Sequence, residues 1–416
     1  MLTYLRSGFG NSFVAVALAA MALLGIAAPG VPLATGPDGR AFYDAPPLGA
    51  GVHGDLIWSR AAGGSGSLPS AGRNVLVLYR TTAPDGHDVA VSGVVSIPKG
   101  TPPAGGWPVI TWAHGTTGDA TECAPSLDVP SGAEHSYLYV PEAFLDDFVA
   151  HGYAVVQTDY EGIGTPGDHP YLVGEAEARD TIDMVRAARQ LDSSLGTRYL
   201  VMGHSQGGHA ALFAAARAAA WAPELTALGV IAYAPASHLK AWLSLLAGEA
   251  TPDHGLVFAA LLVRGYAAVD SSVRADRIWT GRMAHLSAQL GKRCAIDLLR
   301  DDEWYATVPS DAFARHADLA PLLRVAAQNE PGDLSLTIPT LLVQGSSDEF
   351  VAPFASDALD SELCARAVAV DYHVVPDATH VSVLPASLDF VRDWVAARFA
   401  GTAATSNCDR PPKAAR

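Results

Sequence analysis

Residues 200–220 read LVMGHSQGGHAALFAAARAAA, and no other stretch constrains the fold as much. An apolar, strand-like run gives way within five residues to an alanine-rich helical one. Gly203-His204-Ser205-Gln206-Gly207 stands at the change and matches G-x-S-x-G. The pattern alone is a weak signal in a chain with this much glycine and serine; its context gives it weight. The motif needs a strand, a sharp turn holding the serine in strained backbone, and then a helix, and its glycines stand where neighbouring backbones leave no room for a Cβ. The helix N-terminus would also stabilise negative charge at the reacting centre. Ser205 is therefore the expected nucleophile.

A serine hydroxyl needs a base, and the base needs an orienting carboxylate. On this kind of turn they follow in the order serine, acid, histidine. Asp348 lies just past an apolar run at 340–344, and His380 just past another at 370–375. The rival acids are Glu349 and Asp377; Asp377, three residues from His380 on one loop, is badly placed to orient it. An oxyanion needs two donors. One is the Gln206 backbone N–H. The other should come from the loop Ala113-His114-Gly115-Thr116-Thr117-Gly118, with Thr116 the first choice and Thr117 the second. His114 has no second His or Cys at ligand spacing and there is no H-E-x-x-H, so neither a metal nor another cofactor is expected. Tyr160 and Glu161 should face the same cleft, where a turn held by Gly162 and Gly164 is a simpler role than substrate contact.

Strand-like runs occur at 75–79, 89–97, 109–112, 154–158, 199–202, 230–233, 340–344 and 370–375. The first two are joined by TTAPDGHD, which suits an antiparallel hairpin. The later ones are continuous apolar segments, as in strands buried on both faces. Helical patterns fall at 141–150, opening with proline, at 175–191, at 206–220 and at 384–399. In the second of these, Ile182, Val185, Ala188 and Leu191 form the apolar face, with the charges expected elsewhere. The alternation predicts an α/β fold, an eight-stranded mostly parallel sheet with helices on both faces. Residues 238–337 break it: a hundred residues of helical periodicity inserted after the sixth strand, where open α/β sheets place ligand sites.

The N-terminus has its own character. Arg6 precedes an apolar run at 13–28, sixteen residues against the roughly 20 that span a bilayer, followed by proline and glycine. This predicts a cleaved secretory leader rather than an anchor. In an exported chain Cys123, Cys294, Cys364 and Cys408 predict two disulfides, with three pairings open. Joining Cys364 to Cys408 would staple the tail locally. A net charge of −16 with only 27 Lys and Arg excludes a nucleic-acid binder.

HGTTG followed by CAPS at 123–126, DYEGIGTPGDHPYLVG at 159–174, GHSQGGHAALFAA and VQGSSDEFVAP together resemble the secretory lipase family of α/β-hydrolases, of lipase A type. The resemblance implies Ser205, Asp348 and His380 as a triad, a helical cap admitting long acyl chains, and hydrolysis of lipid or other carboxylic esters. It also implies the pairs Cys123–Cys294 and Cys364–Cys408. The expected organisation is a leader at 1–34, the first part of an α/β-hydrolase core at 35–237, a cap at 238–337, and the rest of the core with the tail at 338–416. The expected activity is a secreted serine esterase acting on acylglycerols or similar apolar esters, with transient contact with a lipid interface and no cofactor. The alternatives are a secreted serine peptidase on the same fold and a non-catalytic binding protein on a hydrolase scaffold.

Overall fold

The continuous apolar runs become the inner strands of one sheet. The structure, a computed structural model, describes residues 34–64 and 66–409, which belong to one compact unit. But for Ala34, the leader expected at 1–34 lies outside the described residues. The strands are β1 (Leu56–Ala61), β2 (Arg73–Thr82), β3 (Asp88–Ile97), β4 (Trp107–Ala113), β5 (Ala154–Thr158), β6 (Leu195–His204), β7 (Thr226–Tyr233), β8 (Thr340–Gly345) and β9 (Val370–Val375). Their order across the sheet is β1-β2-β3-β5-β4-β6-β7-β8-β9. Pairings from β1 through β3 to β5 are antiparallel and the remaining ones parallel. Every residue of β5 and β8 is buried, as strands covered on both faces require.

The sheet has nine strands rather than the expected eight. The extra one, β1, reads LIWSRA and lies at the edge with every residue at least partly exposed. It lacks the buried apolar run by which the others are legible.

Successive β4 residues serve opposite faces, following the two-residue period of a strand. Val109 packs with α2 (Gly174–Leu191) and α3 (Gln206–Trp221) on one side. Ile110 and Trp112 pack with α1 (His135–Ala150) and the helix Val383–Phe399 on the other. Two helices depart from their sequence pattern. The first, expected to open at Pro141, begins six residues earlier, because Tyr137 and Leu138 extend the buried stripe of Pro141, Phe144, Leu145 and Phe148. The burial of that stripe outweighs the missing proline N–H. In α2 the charges are not all outside: Glu177, Asp180 and Asp183 are buried.

Between β7 and β8 the chain runs through α4 (Leu239–Leu246), α5 (Gly255–Val269), several short helical turns and the helix Ala320–Gln328. These share one apolar cluster with Tyr171, Leu172 and Val173 of the segment leading into α2. Among the described residues no helix is long and apolar enough to cross a membrane. Disulfides join Cys123 to Cys294 and Cys364 to Cys408, with Cα separations of 5.4 and 5.5 Å.

Candidate active site

β6 ends at His204 and α3 begins at Gln206, so Ser205 alone makes the turn, with φ 59° and ψ −117°. A non-glycine residue in that conformation costs on the order of 1–3 kcal/mol and persists only where its surroundings impose it. Here three backbone bonds do so: Ser205 N–H donates to the Tyr233 carbonyl at 2.8 Å, and the Ser205 carbonyl accepts from His209 at 3.1 Å and Ala236 at 3.3 Å. The glycines are explained by contact. A Cβ on Gly203 would lie 2.0 Å from the Gly207 carbonyl oxygen, and one on Gly207 would lie 1.8 Å from that of Ala113. The turn thus exists only because β4, β6 and α3 meet without side chains between them.

His380 and Asp348, each on a loop leaving the C-terminal end of a strand, meet: His380 Nδ1 lies 2.8 Å from Asp348 Oδ2. The Asp348 side chain is 0% exposed and that of His380 8%. Asp348 Oδ1 accepts the backbone N–H groups of Phe350 at 2.9 Å and Val351 at 2.8 Å, and Oδ2 also accepts the Gln344 amide at 2.9 Å. Burial works against the carboxylate, but the hydrogen bond and charge of His380 and the two N–H groups outweigh it, and its pKa falls below the usual value. Among the described residues the His380 ring pairs with neither rival acid. Glu349 accepts the His380 backbone N–H, at 3.2 Å. Asp377 is exposed, and its backbone N–H donates to Ser346. His380 Nε2 has no hydrogen-bond partner among the described residues, and Ser205 Oγ has none either. The ring lies 4.5 Å from that of His204, the residue before the serine.

The loop after β4 packs against the same turn, since the Gly207 Cβ position is also 2.6 Å from the His114 carbonyl oxygen. Among the described residues neither the Gln206 nor the Thr116 backbone N–H finds an acceptor. Thr116 is partly exposed, and its hydroxyl lies 2.7 Å from that of Tyr171. Thr117 is fully buried, and its carbonyl accepts the Ala295 N–H at 2.9 Å. His114 is buried against two carbonyls, of Gly115 and Asp159, and burial lowers its pKa to about 4. Tyr160, at φ 66°, is wholly buried, and its hydroxyl donates to the His114 carbonyl at 3.1 Å, so it supports the loop from beneath. Glu161 begins the turn, with Gly162 and Gly164 at positive φ.

Sequence reasoning missed a buried polar layer under this site. Glu177 Oε1 accepts the Gln206 side-chain amide at 2.7 Å and the Leu172 N–H at 3.0 Å. The same amide nitrogen donates to His169 Nε2 at 2.9 Å, while His169 Nδ1 donates to the Glu161 carbonyl at 2.8 Å. Burial holds His169 neutral, at about 3. His209, from the first turn of α3, bridges Glu177 and the Asn329 carbonyl. The available signal was three acids at 177, 180 and 183, one turn apart on a helix that otherwise reads as core.

Residues 128–407 match the family model of the secretory lipases, two thirds of the chain. The chain belongs to the secretory lipase family. Its relatives include a Mycobacterium tuberculosis protein described as a "probable inactive lipase", 25% identical over 352 residues, which cover 82% of this chain and 77% of the relative. Lipase A of Moesziomyces aphidis is 26% identical over 196 residues, 45% of this chain and 41% of that protein. Among solved structures, this secretory-lipase chain is similar to Candida antarctica lipase A, with a TM-score of 0.72 at 20% identity over 88% of this chain and 86% of that one. It is also similar to a rice cell wall degrading esterase of Xanthomonas oryzae, with a TM-score of 0.66 at 21% identity over 84% and 98%. At these identities the structural likeness establishes the α/β-hydrolase fold.

Proposed function

We propose that this secretory-lipase family member is an exported serine hydrolase of carboxylic esters, acting on acylglycerols or similar apolar esters. One observation carries the reading: a serine held in strained backbone at a strand-to-helix turn, whose preceding residue packs its ring 4.5 Å from that of His380, a histidine held at Nδ1 by a buried carboxylate. His380 Nε2 takes the proton of Ser205 Oγ as the oxygen attacks the ester carbonyl. The oxyanion is met by the Gln206 N–H and the Thr116 N–H, the alcohol leaves with the proton from His380, and water releases the acid from the acyl-serine by the same route. Thr117, under the Cys294–Ala295 backbone, is the weaker choice for the second donor.

The leader-like sequence at 1–34 and the two disulfides support export. Residues 238–337 are read as a cap over the site. In support, Phe258 of α5 packs edge-on against Phe350 with centroids 5.9 Å apart, and Phe350 packs against the His380 ring at 5.4 Å. Phe350, 40% exposed, would meet the acyl chain or the lipid surface.

The description of the mycobacterial relative favours a second reading, an inactive scaffold. This chain keeps serine, acid and histidine. Turnover of p-nitrophenyl esters from C2 to C18, abolished by Ser205→Ala, supports the hydrolase. A folded protein that turns over none of them, and whose rates Ser205→Ala does not alter, would favour the scaffold.

A further inference from the structure

His204, the residue between Gly203 and the nucleophile, is wholly buried and makes two hydrogen bonds in opposite directions. Its Nε2 lies 2.8 Å from the backbone carbonyl oxygen of His380. Its Nδ1 lies 2.9 Å from the hydroxyl of Tyr137, in the first turn of α1. That hydroxyl oxygen in turn accepts the backbone N–H of Gly115 at 3.0 Å. The chain of bonds therefore runs from the residue before Thr116, through α1 and the turn, to the histidine of the triad.

Its polarity is fixed by chemistry. A carbonyl oxygen only accepts, so His204 Nε2 carries a proton and donates it to His380. Burial, the field of His380 acting with it, pushes the His204 pKa down to about 3, so the ring is neutral and Nδ1 accepts. Tyr137 then donates its hydroxyl proton to Nδ1, which leaves the phenol oxygen free to accept from Gly115. Every proton has one position. Gly115 is part of the fit: a Cβ there would lie 2.2 Å from the Tyr137 hydroxyl and 3.2 Å from His204 Nδ1.

We propose that His204 and Tyr137 form a positioning relay that sets the base and the oxyanion loop against the nucleophile together. The proposal rests on the ester-hydrolase reading above and adds two residues to it. Neither touches substrate. His204 acts through the backbone of His380, placing Nε2 within reach of Ser205; Tyr137 acts through Gly115, placing the N–H of Thr116. Because His204 is the immediate neighbour of Ser205, both settings are made relative to the strained turn itself. The ordinary alternative is a buried histidine satisfied by whatever is near, and it predicts a loss of stability with the kinetics of the folded fraction unchanged.

The test separates the two arms with p-nitrophenyl butyrate as substrate. Tyr137→Phe removes one hydroxyl and keeps the ring; its kcat should fall by ~10-fold with KM within about twofold, since misplacing reacting groups by fractions of an ångström costs that order. His204→Leu cuts both arms and should lose ~100-fold. His204→Gln presents an amide N–H where Nε2 stood, and should recover about tenfold of that loss. Adding Tyr137→Phe to His204→Gln should cost nothing more, because Gln has already cut that arm. If His204→Leu does not fold, Tyr137→Phe and imidazole nitrogen spectra of the unmodified protein decide. The spectra should give His204 as the Nε2–H tautomer from pH 5 to 9. Folded Tyr137→Phe and His204→Gln proteins with kcat within twofold of the parent would overturn the relay and leave the triad standing. So would a His204 ring protonated at Nδ1. A parent protein that does not hydrolyse the ester would overturn the site reading and the relay with it.

Discussion

Removing the two disulfides in turn should give similar losses of stability and very different losses of activity. The bridges close loops with sequence separations of 171 and 44. On the chain-entropy account, losing the first costs about 5 kcal/mol and losing the second about 4 kcal/mol, both upper values. With an unfolding entropy near 2 cal/mol/K per residue, each kcal/mol moves Tm by ~1.2 °C in a chain of this size, so the shifts should be ~6 and ~5 °C at most. Their surroundings differ far more. Cys294 pairs through its backbone with Gly118, where a Cβ would lie 3.0 Å from Cys123 Sγ, and the next residue, Ala295, donates to the Thr117 carbonyl. The first bridge thus clamps the loop that carries Thr116. The second joins the end of the helix Pro353–Ala365 to the tail beside β9. Losing one oxyanion donor outright costs about 10²–10³ in kcat, and loosening its loop should cost ~10-fold. The assay is thermal melting together with kcat on p-nitrophenyl butyrate, well below Tm, for Cys123→Ser/Cys294→Ser and Cys364→Ser/Cys408→Ser. The first double variant should lose kcat and the second keep it. Equal kinetic losses, or an unchanged kcat in the first, would refute the clamp.

Other outcomes follow from the same geometry. Burial, with the Asp128 charge adding to it and the Ile296 N–H opposing, raises the Glu134 carboxyl to about 8, so the folded chain holds a proton that the unfolded chain releases above about 4.5. Stability should therefore drain away between those values as pH rises, and Glu134→Gln should melt like the parent at pH 4 but gain up to ~4 kcal/mol by pH 8; an advantage independent of pH would contradict this. Asp348→Asn should cut kcat by ~10⁴-fold while Asp377→Asn leaves it within about twofold, and the reverse pattern would move the acid to Asp377. Phe258→Ala, removing the aromatic ring from α5 over Phe350, should lower kcat/KM for C8–C12 esters more than for butyrate; an unchanged chain-length profile would mean that α5 does not line the acyl path.

The strands and the turn were legible because their physics is local. Val155, Val156 and Leu341–Val343 are apolar runs wherever they occur, and Gly203-x-Ser205-x-Gly207 announces a place where backbones touch. Asp348 and His380 were legible because each follows such a run directly. What escaped depends on partners distant in sequence. β1 is an edge strand that owes its place to pairing with β2. The start of α1 is set by where Tyr137 and Leu138 are buried. Glu177, which looks like a solvent-facing charge on α2, is satisfied by Gln206, His209 and Leu172, the first two from the helix after Ser205. His204 and Tyr137 are 67 residues apart, and nothing in either local sequence announces the other.

If Ser205 is a nucleophile activated by this fold, the folded protein should react with a fluorophosphonate, as read by intact mass and peptide mapping. One adduct per chain is expected, on Ser205, absent from Ser205→Ala and formed far more slowly in His380→Ala, with ester hydrolysis lost in proportion to labelling. An adduct on another residue, or hydrolysis that persists after Ser205 is fully modified, would contradict it.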